Sequence, residues 1–175
     1  MTSDTADIPL CVRCSRSRKT CCQVSEIYCG AADKQRIAEY TGRTDFYTFV
    51  VAEGDWAPGD DDPPWRDLAF RPDGSRRILA RRADGDCTFL GSAGCTLPME
   101  TRPLICRLYP FDYDHQGLRP QLSHHCPTQL MKPGETLLGA LDMTREVAER
   151  WRAQLYRELE LERDDEDRAD LRPAQ

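Results

Sequence analysis

Nine cysteines occur in 175 residues, and eight of them fall into two well-separated groups. The first is tight: Cys11, Cys14, Cys21 and Cys22, with Cys29 just beyond. The second, Cys87, Cys95, Cys106 and Cys126, is spread through the middle of the chain. A cytosolic chain has little use for so many thiols unless they hold a metal or carry out redox chemistry. The odd total argues against a fully paired disulfide scaffold.

Length predicts a single domain. With 39% hydrophobic and 31% charged residues the core is lean for that length. A metal could supply what the core lacks, because a structural zinc site contributes roughly 10–16 kcal/mol of apparent binding energy that becomes folding energy. The first residues, MTSDTADIPL, have neither the basic nor the apolar segment of a secretory signal. No apolar run approaches a membrane span. The expectation is a soluble, cytoplasmic protein, in which thiolate–metal bonds are favoured over disulfides.

A net charge of −6 speaks against general nucleic-acid binding. Locally the charge is uneven. Arg71, Arg76, Arg77, Arg81 and Arg82 form a basic stretch, and Glu53, Asp55, Asp60, Asp61 and Asp62 an acidic one before it. The simplest reading is two solvated surfaces that partly neutralise each other. Asp60–Asp62 lacks the spacing of a calcium loop, and Pro63-Pro64 reads as linker.

The pattern predicts an α+β fold. A small meander of short strands with flanking helices would surround a cysteine-rich metal site, followed by a long C-terminal helix. Residues 1–10 read as a flexible arm, 11–134 as the metal-binding domain, 135–162 as an amphipathic helix and 163–175 as a disordered acidic tail. Within the domain, 11–22 reads as a loop and Gln23–Cys29 as a short strand. Ala31–Tyr40 reads as a helix stopped at Thr41-Gly42, and Phe46–Ala52 as a short helical or extended piece. Residues 53–66 are the expected loop. Leu68–Arg71, Arg76–Arg82 and Cys87–Leu90 read as strands joined by Asp-Gly turns. A turn at Gly91–Gly94 leads into Cys95–Leu97, and Pro103 opens a helix over Leu104–Leu108. Phe111–Asp114 and Leu118–Leu122 flank a hairpin turn. In the C-terminal helix, Leu138, Leu141, Ala148, Trp151, Leu155 and Leu159 make a stripe that packs on the body, leaving an unidentified protein partner as its other use.

The pair Cys11 and Cys14 is a chelating unit, since two intervening residues let a tight turn present both sulfurs to one metal, with Zn–S bonds of about 2.3 Å. The doublet Cys21-Cys22 is less common. On an extended strand its side chains would face opposite ways, so the backbone is irregular there, or the two serve different centres, or one ligates while the other packs. Cys87 and Cys95 flank a turn that could bring them together. Cys106 sits near a helix N-terminus, where partial positive charge favours a thiolate. His124 and His125 precede Cys126; surface histidines are more often not ligands. Arg107 follows Cys106 and could offset the negative charge of a four-thiolate site from the outer shell, or form an ordinary ion pair with Asp86 or Asp112. Tyr109 and Phe111 read as core.

These residues resemble a family. The C-x2-C pair, the doublet, the segment Asp86-Cys87-Thr88-Phe89-Leu90, the segment Gly94-Cys95-Thr96-Leu97, the run RPLICRLYPF from Arg102 to Phe111, and Cys126-Pro127 together look like the YkgJ-like cysteine-cluster proteins, also called CxxCxxCC and described as zinc- or iron-chelating. The resemblance covers about residues 11–127. It implies metal ligation by Cys11, Cys14, Cys21, Cys22, Cys87, Cys95, Cys106 and Cys126, and leaves Cys29 outside the set. One departure stands out: the family name implies two residues before the doublet, whereas six (SRSRKT) separate Cys14 from Cys21 here. A longer loop still closes on a metal at small entropic cost.

Three functions compete. Four thiolates suit zinc or a [4Fe–4S] cluster equally, so the first is a metal-binding protein holding an iron–sulfur cluster or zinc. The second is a metal-dependent redox or group-transfer enzyme. A related cysteine-cluster region in flagellin lysine N-methylases suggests methyl transfer, but this chain has no glycine-rich nucleotide loop, no C-x3-C-x2-C, no G-x-S-x-G and no H-E-x-x-H. The third is a zinc-stapled interaction module.

Overall fold

A computed structural model describes residues 8–17, 20–54 and 57–170, with side chains as far as Arg163. The elements run α1 (Leu10–Ser15), α2 (Cys21–Val24), α3 (Ala31–Thr41), β1 (Tyr47–Val51), α4 (Pro63–Ala69), β2 (Ser75–Leu79), β3 (Leu90–Gly91), β4 (Gly94–Cys95), α5 (Leu104–Leu108), β5 (Phe111–Asp114), β6 (Gly117–Leu122), α6 (Leu137–Ala140) and α7 (Arg145–Asp170). Short 3-10 turns precede α5 (Met99–Thr101) and follow β6 (Thr128–Leu130). The fold is α+β. Its strands form three separate antiparallel pairs, β1–β2, β3–β4 and β5–β6, in place of one continuous meander.

Several local expectations are met, with clear causes. Helix α3 carries Asp33 in its first turn and stops at Gly42, whose φ of 67° supplies the left-handed cap. Pro103 opens α5. The hairpin β5–β6 pairs Phe111 with Leu122 and Asp114 with Gly117. The residues 47–51 take the extended option, as their β-branched and aromatic content favours.

Four expectations are corrected. First, the 11–22 cysteine loop contains two short helices. The capping arrangement at Thr20, whose main-chain N–H donates to the Gln23 side chain at 2.8 Å, makes Cys21–Val24 helical, where Cys21-Cys22 read as loop and Gln23-Val24 as the start of a strand. Arg18 and Lys19, between the helices, lie outside the described residues. Second, Pro63-Pro64 is a helix start, with proline at the first helical positions, where its missing N–H costs nothing. Helix α4 absorbs Leu68 and Ala69, which read as strand. Third, Glu135–Glu162 is interrupted. Asp142 has φ 53°, and the Thr144 hydroxyl accepts the Val147 N–H at 3.2 Å, so a fresh cap starts α7. Fourth, α7 continues to Asp170, into the segment read as a tail; residues 171–175, like residues 1–7 of the expected arm, lie outside the described residues. Leu10, read as part of that arm, is buried in α1.

Two hydrophobic clusters make the interior. One gathers Ala148, Leu155 and Leu159 of α7 against Leu104 and Leu108 of α5, with Phe70 and Phe111. The C-terminal stripe therefore packs on the body. The other holds Ile27, Cys29, Ile37, Phe46, Leu79, Cys87, Phe89 and Leu97, with Cys22, Cys95 and Cys106 packed on its edge. Helix α5 joins the two: Leu104 and Leu108, one turn apart, face the first, while Ile105 and Cys106 reach the second. No helix among the described residues is long and apolar enough to cross a membrane.

The arginine stretch is used internally. Arg76 pairs with Glu26 at 2.9 Å and Arg77 with Glu162 at 2.9 Å. Arg81 donates to the carbonyls of Gln23 (2.9 Å) and Gly85 (2.6 Å), and Arg82 reaches Asp84 (3.5 Å) and Asp86 (3.2 Å). None of these partners belongs to the 53–62 acidic stretch that was expected to neutralise it.

Candidate metal centre

Helix geometry explains how the first thiols are presented. Cys11 and Cys14 lie three residues apart on α1 and so share one face; the tight turn anticipated for them is one turn of helix. Cys21 and Cys22 open α2. There neighbouring side chains diverge by only part of a turn, and the thiol of Cys21 hydrogen-bonds to that of Cys22. The doublet needs no strained backbone to aim both sulfurs at one region.

The second group is brought to the first by main-chain bonds. The Cys87 N–H donates to the Cys22 carbonyl at 3.2 Å. Arg81, bridging to Cys87 across the turn, also binds the main chain of Gln23 and Ser25 at the end of α2. The hairpin β3–β4 pairs Leu90 with Cys95 and carries that thiol beside α1, where the tip glycine Gly94 faces Val12. On its other side α1 is tied down by Arg13, which forms a two-pronged ion pair with Glu135 at 3.0 and 3.1 Å and donates to the Leu130 carbonyl.

Cys22 is the centre of this arrangement. It lies within electrostatic reach of Cys11, Cys21, Cys87, Cys95 and Cys106, which come from both halves of the sequence. Cys14 approaches Cys11 on α1. Cys126 stands at the periphery, beside the Tyr109 hydroxyl, which also faces Cys21 and hydrogen-bonds Ser123 at 3.2 Å. His124 and His125 are exposed and stack on each other, ring centres 4.5 Å apart. Cys29 is fully buried in the second hydrophobic cluster, its thiol 3.9 Å from the Gly30 carbonyl. All nine are thiols, with no disulfide among the described residues.

The electrostatics are those of thiols waiting for a cation. Burial pushes Cys87 up to about 11 and raises Cys95 and Cys106, and the neighbouring sulfurs raise all three further. Cys21 is held up by donating to Cys22. Cys22 moves down, to about 7, because it accepts from Cys21 and from Thr20 and faces Arg102. Three arginines stand near the sulfurs: Arg102 approaches Cys11, Cys22 and Cys95, Arg81 approaches Cys87, and Arg107 approaches Cys106. Arg107 is buried and spends its guanidinium on main-chain carbonyls, those of Arg102 (2.8 Å) and Glu100 (2.5 Å), forming no pair with Asp86 or Asp112.

Tested against a metal, the donors fit in type. They are soft thiols whose deprotonation is costly until a cation shares the space, the chemistry that suits zinc or iron. They fit in grouping too, but the cage is not closed: among the described residues no three Cys, His, Asp or Glu side chains already stand at metal-holding distances. Reading the sequence missed Arg102, Thr20 and the bridging position of Tyr109. Arg102 opens the RPLIC run, but only the path of the chain through Pro103 turns it toward the sulfurs.

No curated protein and no solved structure matches the chain. A family model does, over residues 10–127: CxxCxxCC, described as "Putative zinc- or iron-chelating domain". That stretch begins at the first residue of α1, ends one residue past Cys126 and covers most of the chain, so the protein belongs to the CxxCxxCC family of zinc- or iron-chelating domains.

Proposed function

We propose that this protein holds one thiolate-rich metal centre, an iron–sulfur cluster or zinc, built around Cys22 with ligands drawn from Cys11, Cys14, Cys21, Cys87, Cys95, Cys106 and Cys126. The observation that carries this reading is the convergence on Cys22 of thiols from α1, the β3–β4 hairpin, α5 and the turn at Cys87. Separate centres for the two cysteine groups would leave them apart. A bound cation lowers the cost of ionising the crowded thiols, and the cytoplasm keeps them reduced.

Metal analysis of anaerobically purified protein, with visible and electron-paramagnetic spectra, is the test. A brown protein with broad visible absorption and iron plus sulfide identifies a cluster. A colourless protein with stoichiometric zinc identifies zinc. Chains carrying neither metal refute the proposal.

A structural use of the metal is the second reading. Cys87 belongs to the second hydrophobic cluster and Cys22, Cys95 and Cys106 pack against it, so the centre also closes that core. Loss of fold on chelation, with no reversible electron uptake by the bound metal, supports the staple; reversible electron uptake supports a redox role.

A further inference from the structure

Strand β1 forms one edge of its sheet: β2 covers one side of it, and no other strand pairs with it among the described residues. Phe46 accepts from Ala80 at 2.8 Å and Ala52 donates to Gly74 at 3.4 Å, so in the register Thr48↔Ile78 and Val50↔Arg76 the even-numbered residues face β2. The N–H and C=O groups of Tyr47, Phe49 and Val51 therefore point away from β2, and among the described residues none of them has a hydrogen-bond partner. Edges of this kind are usually guarded by a charge, a proline or a bulge. The run YTFVV has no charge and no proline, and its pairing with β2 is unbroken. Phe49 is 38% and Val51 60% exposed. The side chains of Tyr47, Phe49 and Val51 share one face of the strand, and cations stand over it. Arg71 Cζ lies 3.5 Å from the Phe49 ring centre, and Lys34 Nζ 5.4 Å from that of Tyr47. Arg77, also above Phe49, is paired with Glu162 at 2.9 Å. Neither Lys34 nor Arg71 forms an ion pair among the described residues. Asp73, the acid nearest Arg71 in sequence, accepts the Ser75 N–H of its own turn at 2.9 Å.

We propose that the open edge of β1 is a docking site for an extended acidic peptide, which adds to the sheet as a third, antiparallel strand. The main-chain groups of Tyr47, Phe49 and Val51 supply the ladder, and Lys34 and Arg71 receive carboxylates from alternate residues of the peptide. Antiparallel pairing is the more stable ladder. It also places the peptide residues that bond to β1 on the same face as Tyr47 and Phe49, so these are the residues that carry the acids. A second copy of this chain fits less well. It would bring two Arg71 and two Lys34 side chains onto one face, and Tyr47–Val51 has no carboxylate to meet them. The proposal stands apart from the metal centre, and its test reads no metal.

The probe is a capped peptide of alternating glutamate and valine, titrated into the full-length protein as purified. Amide hydrogen exchange is followed by nuclear magnetic resonance. At saturation, exchange at Tyr47, Phe49 and Val51 is expected to slow by about 10-fold or more, as new hydrogen bonds cover them. Thr48 and Val50, already bonded to β2, are expected to change little. Methylating the peptide's glutamate amides removes the donors that face β1 and is expected to abolish binding. Methylating its valine amides alters only the outer edge and is expected to leave binding intact. The double variant K34E/R71E is expected to bind the peptide at least about 5-fold more weakly, the upper range for one exposed ion pair. A lysine–valine peptide that binds wild type as tightly as the acidic one overturns the charge assignment. No binding of the acidic peptide, or binding that leaves exchange at Tyr47, Phe49 and Val51 unchanged, overturns the site. The two methylated peptides binding alike overturns the antiparallel ladder. If the three amides are already protected without peptide and the protein sediments as a dimer, a second copy covers the edge and the peptide proposal falls. The methylated peptides decide the question even if K34E/R71E does not fold, because they leave the protein unaltered.

Discussion

The carboxylate of Asp33 accepts the main-chain N–H of Leu104 at 3.1 Å, across 71 positions of sequence. Arg36 pairs with that same oxygen at 2.5 Å, and the other oxygen accepts the Gly30 N–H at 3.2 Å. One fully buried side chain therefore caps α3 and the start of α5, two residues before Cys106. Arg36 continues the link to Glu158 of α7 at 2.7 Å. Asp33→Ala leaves two buried donors and a guanidinium without their acceptor. We expect a loss of about 3–5 kcal/mol, the range for breaking a buried charged pair, read as a lower urea midpoint.

The same residue gives stability a pH dependence. Burial pushes its carboxyl up to about 6, with Arg36 opposing. The folded state thus holds this proton at pH values where the unfolded chain has released it. The contribution is fully present below the ordinary aspartate range and is lost as pH rises through about 6. Asp33→Asn keeps an acceptor oxygen and cannot titrate. The stability of the variant relative to wild type, at equal metal content, is expected to rise between pH 4 and 6. A pH-independent difference would remove Asp33 as the source.

Gly94 lets the β3–β4 hairpin turn under α1. Its φ of 92° is one that side chains rarely adopt, while a Cβ would meet Val12 only at an ordinary 3.5 Å. Backbone strain, not crowding, is the cost of Gly94→Ala, about 1–3 kcal/mol for a residue forced into such a conformation. Because Cys95 is the next residue, metal affinity is expected to fall with stability. Gly117→Ala is the control: its φ is not in this range and no atom lies within 4 Å. Thermal melts and zinc titration of both variants check the contrast.

The Tyr156 hydroxyl donates to Asp62, whose second oxygen faces His115 Nδ1 at 3.0 Å. This bond fastens the segment before α4 to α7. Tyr156→Phe is expected to cost about 1.5–3 kcal/mol, as for a hydrogen bond to a charged group. Metal content should stay unchanged, since neither Tyr156 nor Asp62 is among the candidate ligands. Urea unfolding beside metal analysis tests both parts.

Local signals carried much of the fold. Pro103 before an apolar run, Gly42 after one, and the alternation around His115-Gln116-Gly117 each specify an element without help from distant residues. The failures came where a cap outweighed the hydrophobic pattern. Thr144 restarts a helix inside a periodic stripe, and Thr20 with Gln23 turns a strand-like segment helical. Pro63-Pro64 is ambiguous in sequence because proline both starts helices and fills linkers. At the site, spacing marked the thiols but could not orient the charges. Arg107 is adjacent to Cys106 in sequence and stays within its electrostatic reach, yet the turn of α5 sends its hydrogen bonds to the carbonyls of Glu100 and Arg102; Arg102, four positions before Cys106, approaches Cys95.

Cys29 and Cys106 provide the sharpest comparison between packing and ligation. Both belong to the second hydrophobic cluster, and burial raises both thiols. Both lie near Asp33, but their other neighbours differ: Cys106 faces Cys22, Cys95 and Cys87, whereas Cys29 faces Arg77 and Glu162. Cys29→Ala removes one buried sulfur and leaves a small cavity, so it should lower stability by about 1 kcal/mol, as for a buried group of methylene size. It should not alter metal per chain. Cys106→Ala removes a comparable volume from the same cluster and should lower metal content or affinity sharply. Metal analysis after equal purification compares the two directly. Equal metal content in both variants would assign Cys106 to the core and take it out of the centre.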